Sequence, residues 1–298
     1  MITSTEDLPK LNIEASEQHA VRSTRFPDGT QRLTVRFVDR TASQGTVLLE
    51  IPAPVQINAI EVSPDEIGAD GEHLDVEILA VPVANVPNES TADKSHVLQA
   101  MQDWVEEHAT QPTLVMTFQG VHIFWTTRRV AFLAPPNRSN SIRQALLEAS
   151  YFELEQRRIE HLAYATWPNA EQDLPSAFEF NEATLEDKKR IQERFEALLR
   201  IRARLSRISL YVYAPHVYPP TLASQIGERM RERTQLAHRH EVLWEQLEVY
   251  NEIYEMCAQR ASDYTLTRSA NSLEWVIIIL LLIQILFSTF DLLTSTGS

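Results

Sequence analysis

Four arginines lie close together in the segment LLRIRARLSRIS, near the expected end of a helix. Arg200, Arg204 and Arg207 share one side of that helix, because residues three and four apart are neighbours on a helix surface. A row of guanidinium groups binds phosphate well, so this face is a candidate patch for RNA or for anionic lipid headgroups. The structural alternative is that these arginines pair with the carboxyl end of the helix and with acidic residues elsewhere. The sequence leaves both interpretations open.

Motifs that cradle phosphates or activate nucleophiles do not occur in the sequence. The chain contains no GxxxxGK[ST], GxGxxG, GxSxG, HExxH or CxxC. His238 and His240 are two residues apart on an expected helix and therefore face different sides. We predict no catalytic residue, no metal site and no cofactor. An enzyme with its site in the amino-terminal α+β region is kept as an alternative.

The strongest single feature is an apolar stretch near the carboxyl end, between Glu274 and Asp291. Sixteen residues in helical conformation span roughly 24 Å, and each Leu, Ile, Val or Phe contributes roughly −0.3 to −0.6 kcal/mol to membrane insertion. We predict a transmembrane helix over 271–293; the alternative is a buried helix of a soluble core. The predicted membrane anchor comprises Trp275, Val276, Ile277, Ile278, Ile279, Leu280, Leu281, Leu282, Ile283, Gln284, Ile285, Leu286 and Phe287.

Charge and composition set the expected location. The net charge is −14, which argues against a nucleic-acid sheath over the whole surface but leaves room for a local patch. The amino terminus has no basic segment followed by an apolar one, so no signal peptide is expected. Arg260 and Arg268 precede the apolar stretch and no Lys or Arg follows it. We therefore expect a single-pass membrane protein whose bulk faces the cytoplasm, or the matrix if the protein is organellar.

The pattern along the chain predicts an α+β fold. After a loose segment over 1–30, short β-branched runs at 33–38, 46–51, 55–62, 74–81, 113–118, 120–127 and 128–134 indicate strands of a mixed sheet, with one helix at 92–108. From there the pattern is helical, with helices over 141–164 and up to Arg207, a Pro-bearing loop over 168–180, and a long helix from about Thr221 towards the membrane. The predicted domains are 31–136 (α+β), 137–270 (helical), 271–293 (transmembrane) and a short tail, 294–298. The acids Glu153, Glu155 and Glu160 are interpreted as a solvated helix face.

The long helix carries a heptad seam. Its apolar residues recur in steps of three, four and seven, which is the spacing of a coiled coil. The seam either packs against other helices of the same chain or joins two or more copies in a homo-oligomer. Its members are Leu236, Leu243, Leu247, Tyr250, Tyr254, Cys257, Ala261 and Tyr264.

Two stretches resemble the required-for-meiotic-nuclear-division family. One is FQGVHIFW, from Phe118 to Trp125, and the other is LEWVIIILLLIQILF, which opens the apolar stretch at Leu273. The segment WEQLEVYNEIYEMCAQR (244–260) is similar to the helix that precedes the membrane in that family. The resemblance implies an α+β body on a carboxyl-terminal anchor, self-association and no established catalysis. Some members are mitochondrial inner-membrane proteins linked to translation.

Together these features predict a tail-anchored membrane scaffold or tether that self-associates through its pre-membrane helix. Its expected partners are membrane lipid, further copies of the chain and a protein that the sequence does not identify. The alternative is an adaptor that binds RNA or the ribosome at the membrane through Arg200, Arg204 and Arg207.

Overall fold

The computed structural model describes residues 26–42, 45–63, 74–83, 91–107, 109–179, 187–217 and 219–295. Seven strands lie in the amino-terminal part: β1 Gln31–Asp39, β2 Val47–Ile51, β3 Ile57–Val62, β4 Leu74–Pro82, β5 Leu114–Phe118, β6 Val121–Trp125 and β7 Arg129–Ala134. One helix, α1 Thr91–Glu106, lies between β4 and β5. The carboxyl-terminal part contains α2 Pro136–Asp173, α3 Pro175–Phe178, α4 Lys188–Val212, α5 Leu222–Arg233 and α6 Leu236–Ser295.

The strands form one mixed sheet in the order β2-β3-β1-β4-β7-β6-β5. Strands β4 and β7 are parallel, with Ile78 opposite Val130, and the pairs β1–β3, β2–β3, β5–β6 and β6–β7 are antiparallel. The predicted α+β class is confirmed: a mixed sheet is followed by helices, the last of which is long and apolar. Every predicted strand is present, with bounds that differ by one or two residues at most positions.

Two compact units interleave along the chain. One comprises 1–33 with 77–140, and the other comprises 34–76 with 141–298. The change from strand to helix falls at Pro135 and Pro136, next to the boundary predicted from the sequence. Of the segments predicted to be loose, 1–25 and 296–298 lie outside the described residues.

The first unit has its core between α1 and the sheet. Trp104 and Met101 of α1 are buried against Leu79 of β4, Phe124 of β6 and Leu133 of β7. Strand β7 is buried along its whole length, as expected of a central strand covered by a helix. The hairpin between β5 and β6 turns through Gln119 and Gly120, both with positive φ (47° and 82°). Two consecutive positive φ values match a two-residue hairpin turn.

The first helix of the second unit is longer than predicted. Helix α2 continues to Asp173 through Pro168, so the Pro-bearing loop expected from 168 onwards is wrong for residues 168–173. Proline deprives the carbonyl of Tyr164, four residues earlier, of its donor. Both Pro168 and Tyr164 are exposed, so that carbonyl lies on the side of the helix that faces water. Ala163 and Ala170 are buried on the other side and hold the helix through this point.

The helix expected to start near Thr221 is two helices. Thr221 caps α5, because its hydroxyl accepts a hydrogen bond from the Ser224 backbone N–H. Helix α5 ends where Gln235 adopts a left-handed conformation with φ of 52°, and the Thr234 hydroxyl donates to the Met230 carbonyl at 2.9 Å. A left-handed residue ends a helix by turning the chain out of the hydrogen-bonding pattern. From Leu236 the helix is continuous to Ser295.

The heptad seam of α6 forms the core of the second unit. Seven of its eight residues are at most 5% exposed, and α6 packs there against α4, α3 and α5. The structure therefore shows the heptad seam packed against other helices of the same chain, which is the first of the two alternatives. The seven buried residues are Leu236, Leu243, Leu247, Tyr250, Tyr254, Cys257 and Ala261, while Tyr264 is partly exposed.

Replacing a seam residue is expected to unfold the unit rather than to separate copies. Leu247 is fully buried, so Leu247→Ala removes its contacts and leaves a cavity that costs about 2–5 kcal/mol of the free energy of unfolding. Val249, two residues further on the same helix, is 50% exposed, and Val249→Ala is expected to change it by about 0.5 kcal/mol or less. Urea unfolding in detergent, followed by circular dichroism, measures both. Equal losses for the two variants contradict the placement of the seam.

Candidate functional site

The second half of α6 has the properties of a membrane anchor. Helix α6 is long and apolar enough to cross a membrane, and none of its most apolar stretch is buried inside the chain. Every residue from Trp275 to Phe287, including Gln284, is exposed, and Phe287 reaches 71%. A helix that is apolar on all sides and uncovered by protein matches the composition of a membrane span. By length and composition, this part of α6 is the one candidate membrane span among the described residues.

A polar stretch of the same helix separates the buried seam from the anchor. Residues 262–274 are exposed, apart from the partly exposed Tyr264, and most are polar or small. At about 1.5 Å per residue, these thirteen residues extend α6 by roughly 20 Å. Helical hydrogen bonding is unbroken across this stretch, so the anchor and the seam belong to one rod.

The start of α6 is tied to α2 by a network of ion pairs. The Arg239 guanidinium donates to both carboxylate oxygens of Glu153 (2.7 and 3.0 Å) and to both of Glu160 (2.9 and 2.8 Å). Glu153 also accepts from Arg157 one turn along α2. The Glu153 side chain is only 2% exposed. The prediction that Glu153 belongs to a solvated face is therefore wrong.

The carboxylates around Arg239 favour its charged form and raise its pKa. Burial alone would lower the pKa of Arg239, but its hydrogen bonds to Glu160 and the charge of Glu153 raise it overall. Removing one partner from such a pair leaves an uncompensated buried charge, which is far more costly than the pair itself. The network thus fixes the position of α6 along α2.

Asp173, the last residue of α2, connects three helices. Its carboxylate is fully buried and accepts from Arg194 of α4 at 2.7 and 2.8 Å and from Arg190 at 3.4 Å. The Tyr254 hydroxyl of α6 donates to the same carboxylate at 3.3 Å. Burial first, and then the charge of Asp173, raise the pKa of Tyr254 well above its usual value. Asp173 therefore holds α4 and α6 together at the carboxyl end of α2.

The single cysteine is part of this junction. Cys257 is 1% exposed and its thiol donates a weak hydrogen bond to the Asp173 carbonyl at 3.6 Å. Burial and the nearby Asp173 charge raise the pKa of the thiol to about 11. A buried, protonated thiol is unreactive, in agreement with a packing role in the seam.

The arginine cluster is divided among different partners. Arg204 forms a bidentate pair with Glu155 (2.8–3.1 Å), whose side chain is 8% exposed, so the solvated interpretation of Glu155 is also wrong. Arg200 lies 3.6 Å from Glu196 and is exposed. Arg202 pairs with Glu248 at 2.8 Å and lies over the Trp244 ring. Of the three arginines of the expected phosphate patch, Arg204 is thus held by a buried acid and Arg200 contacts an exposed one, while Arg207 has no ion pair among the described residues.

The two neighbouring histidines occupy different environments. His240 is 3% exposed, with Nε2 at 3.3 Å from the Leu205 carbonyl and Nδ1 at 3.4 Å from the Tyr213 hydroxyl. A neutral ring suits this position, because it donates to the carbonyl and accepts from the hydroxyl. Burial lowers the pKa of His240, against the opposing effect of the Leu205 carbonyl. His238 is exposed.

The sequence does contain a signal that Glu153 and Glu160 are not on a solvated helix face. Glu153 and Glu160 lie in one row of α2 with the apolar Leu146, Ala149 and Ala163 and the polar Gln156, at steps of three and four. An acid inside an apolar row indicates a buried partner of opposite charge. Arg239 supplies that partner from a position 86 residues away from Glu153, which helical periodicity does not reveal.

Comparisons with known proteins leave the family open. No family model matches the chain, and no curated protein matches it. Among solved structures, one described as the structure of the full-length CmaX protein is similar, with 13% sequence identity and a TM-score of 0.37, covering 83% of this chain and 81% of the other. Similarity at this level carries no argument about function. Within the described residues, no group of three or more His, Cys, Asp and Glu side chains is arranged to hold a metal ion.

The junction at Asp173 can be tested by removing its charge. Asp173→Asn leaves Arg194 and Arg190 facing a neutral amide, and we expect a loss of about 3 kcal/mol in the free energy of unfolding. Asp187 also pairs with Arg190, at 2.9 Å, but is 39% exposed, and Asp187→Asn is expected to cost less than about 1 kcal/mol. Urea unfolding of both variants measures the difference. Similar losses exclude a special role for the buried carboxylate.

The buried histidine predicts a pH dependence of stability. Because the folded state holds the pKa of His240 below the unfolded value of about 6.5, its contribution to stability is present above that pH. It is lost as the pH falls through the folded pKa, since the unfolded chain then binds the proton more readily. We expect His240→Asn to reduce the stability lost between about pH 7 and about pH 5. The exposed neighbour gives the control: His238→Asn is expected to retain the full loss, and identical pH profiles for both variants contradict the assignment.

Proposed function

We propose that this protein is a membrane-anchored scaffold that holds its aqueous body at a fixed distance from the bilayer. The observation that supports this proposal is that α6 continues without a break from the buried seam at Leu236 to the exposed apolar segment that ends at Phe287. One helix thus joins the core of the second unit to the anchor without a hinge residue.

The energy of the anchor supports insertion. Eleven residues of the types Leu, Ile, Val and Phe contribute roughly −3 to −7 kcal/mol in total at the centre of a bilayer. The polar amide of Gln284 offsets part of this. The sixteen residues between Glu274 and Asp291 form a helix about 24 Å long, whereas the hydrocarbon core is about 30 Å thick. Local thinning of the bilayer, or extension of the span to the flanking Leu273, makes up the difference.

The polar stretch of 262–274 sets the height of the body above the membrane. A helix that is exposed and polar bridges solvent between two packed regions. A spacer of roughly 20 Å leaves room for a second macromolecule between the body and the lipid headgroups. This geometry suits a tether more than an enzyme that acts on lipid directly.

The charges beside the anchor support an orientation. Arg260 and Arg268 lie on the body side of the apolar segment, and no Lys or Arg follows it. By the positive-inside rule, the body faces the cytoplasm, or the matrix in an organelle. The resemblance to the required-for-meiotic-nuclear-division family remains a hypothesis in agreement with this arrangement.

Self-association is part of the proposal, but not through the seam. Leu243, Leu247 and Tyr254 are buried inside the chain, so a second copy reaches them only if α6 separates from α4. The exposed part of α6 beyond Ala261 is the surface available for contact between copies.

The anchor can be tested by placing charges in it. We expect the unmodified chain to stay in the membrane pellet after alkaline carbonate extraction. Ile279→Arg with Leu282→Arg adds about 6–8 kcal/mol to the insertion free energy and should move most of the protein to the supernatant. Immunoblotting of the two fractions measures the distribution.

A matched pair outside the span gives the control. Leu266→Arg with Ser269→Arg has the same spacing on the same exposed helix, and this variant should remain in the pellet. Recovery of the unmodified chain in the supernatant without detergent overturns the proposal. Equal behaviour of the two double variants does the same.

A further inference from the structure

A cleft of about 440 Å³ lies within the second unit, where one end of the sheet meets α2 and α4. The ends of β1 and β3 supply apolar side chains, including Phe37 and Ile57, and Ile208 of α4 adds another. Tyr151 of α2 also lines the cleft, and its ring packs against Phe37 with centroids 5.2 Å apart. The volume falls in the range of small-molecule sites.

Three arginines line this cleft, and two of them have no acidic partner among the described residues. Arg204 is held by Glu155 in the bidentate pair described above. Arg158, one turn from Glu155 on α2, and Arg207, one turn from Arg204 on α4, make no ion pair or hydrogen bond in the described part of the chain and are exposed. In a chain of net charge −14, two guanidinium groups without an ion pair at one concave site leave positive charge that an external anion can compensate.

The remaining polar groups give the cleft selective hydrogen bonding in addition to its positive charge. Glu155 neutralises Arg204 and fixes its position, so the uncompensated positive charge is concentrated on Arg158 and Arg207. Asp39, at the end of β1, is the second acid of the lining. It repels a bare phosphate but accepts hydrogen bonds from hydroxyl groups. The site therefore combines two phosphate-binding cations, one hydroxyl acceptor and an apolar wall.

We propose that this cleft binds a small organic phosphate, with the phosphate held by Arg158 and Arg207 and the organic part against Phe37, Ile57 and Ile208. Guanidinium groups bind phosphate oxygens through paired, charge-assisted hydrogen bonds. Asp39 accepts from a hydroxyl of the ligand, as on a sugar, and the Tyr151 hydroxyl lies at the same wall. A soluble nucleotide and the headgroup of a phosphate-bearing lipid both offer this chemistry. The site does not depend on the anchoring role proposed above.

Calorimetric titration of the full-length protein in uncharged detergent tests the proposal, with AMP as the soluble probe and short-chain phosphatidic acid as the lipid probe. At least one of the two should bind saturably at one site per chain, and adenosine, which lacks the phosphate, should not. Arg158→Gln with Arg207→Gln should weaken that binding by about tenfold or more, since each variant removes a charge-assisted hydrogen bond. Binding of AMP alone assigns a soluble ligand, whereas binding of phosphatidic acid alone assigns a lipid headgroup.

Two control variants test whether the effect is specific to this cleft. Arg200→Gln with Arg233→Gln also removes two exposed arginines, one of them from the same helix α4, and should leave the affinity within about twofold. Phe37→Ala should weaken AMP more than it weakens inorganic phosphate, because only AMP uses the apolar wall. Thermal unfolding of each variant verifies that it is folded. Failure of both probes to bind the folded, unmodified protein overturns the proposal, as does equal loss in the two double variants.

Discussion

Helix α6 has to satisfy two environments along one continuous backbone, and the rest of the second unit is arranged around that constraint. Between Leu236 and Ala261 the helix is amphipathic, with its apolar seam buried by protein. From Trp275 to Phe287 it is apolar on every side and buried by nothing in the chain. Water is a poor solvent for the second part, and the chain itself does not cover it; in the proposed function, lipid provides that cover. The polar residues between the two parts mark where the environment changes.

Buried charge pairs add what the apolar seam cannot provide. A seam of heptad spacing tolerates displacement along the helix by one repeat, because the same types of residue come into contact again. The pairs of Arg239 with Glu153 and Glu160, and of Tyr254 with Asp173, allow one register only. A shifted helix leaves these charges buried without partners, which costs several kcal/mol. The buried acids of α2 therefore specify the position of α6 more than they add to the stability of the fold.

Much of the fold follows from periodicity, and the departures have identifiable causes. Alternation over 33–38 and 74–81 gave strands close to their true bounds, and the apolar stretch after Glu274 indicated the exposed helix. The loop predicted at Pro168 is wrong because a proline on the exposed side of a helix leaves the carbonyl four residues earlier to water. The packing of Ala163 and Ala170 continues the helix past this point. The break at Gln235 had no signal, since a left-handed glutamine is not distinguishable by residue type from a helical one. Pairing at long range, as between Arg204 and Glu155, is beyond local pattern altogether.

The arginines illustrate how one local pattern separates into different roles. Arg200, Arg204 and Arg207 share a helix face, yet one reaches an acid on its own helix, one reaches α2, and one lines the cleft. What distinguishes them is the side chain opposite each, which depends on α2 presenting Glu155 and Arg158 one turn apart. The carboxylate at position 155 neutralises Arg204, whereas Arg158 and Arg207 line the same cleft without an ion pair among the described residues. Exposed arginines without an ion pair persist at a surface when solvent or a bound anion compensates their charge, and the organic phosphate proposed above would do so for Arg158 and Arg207.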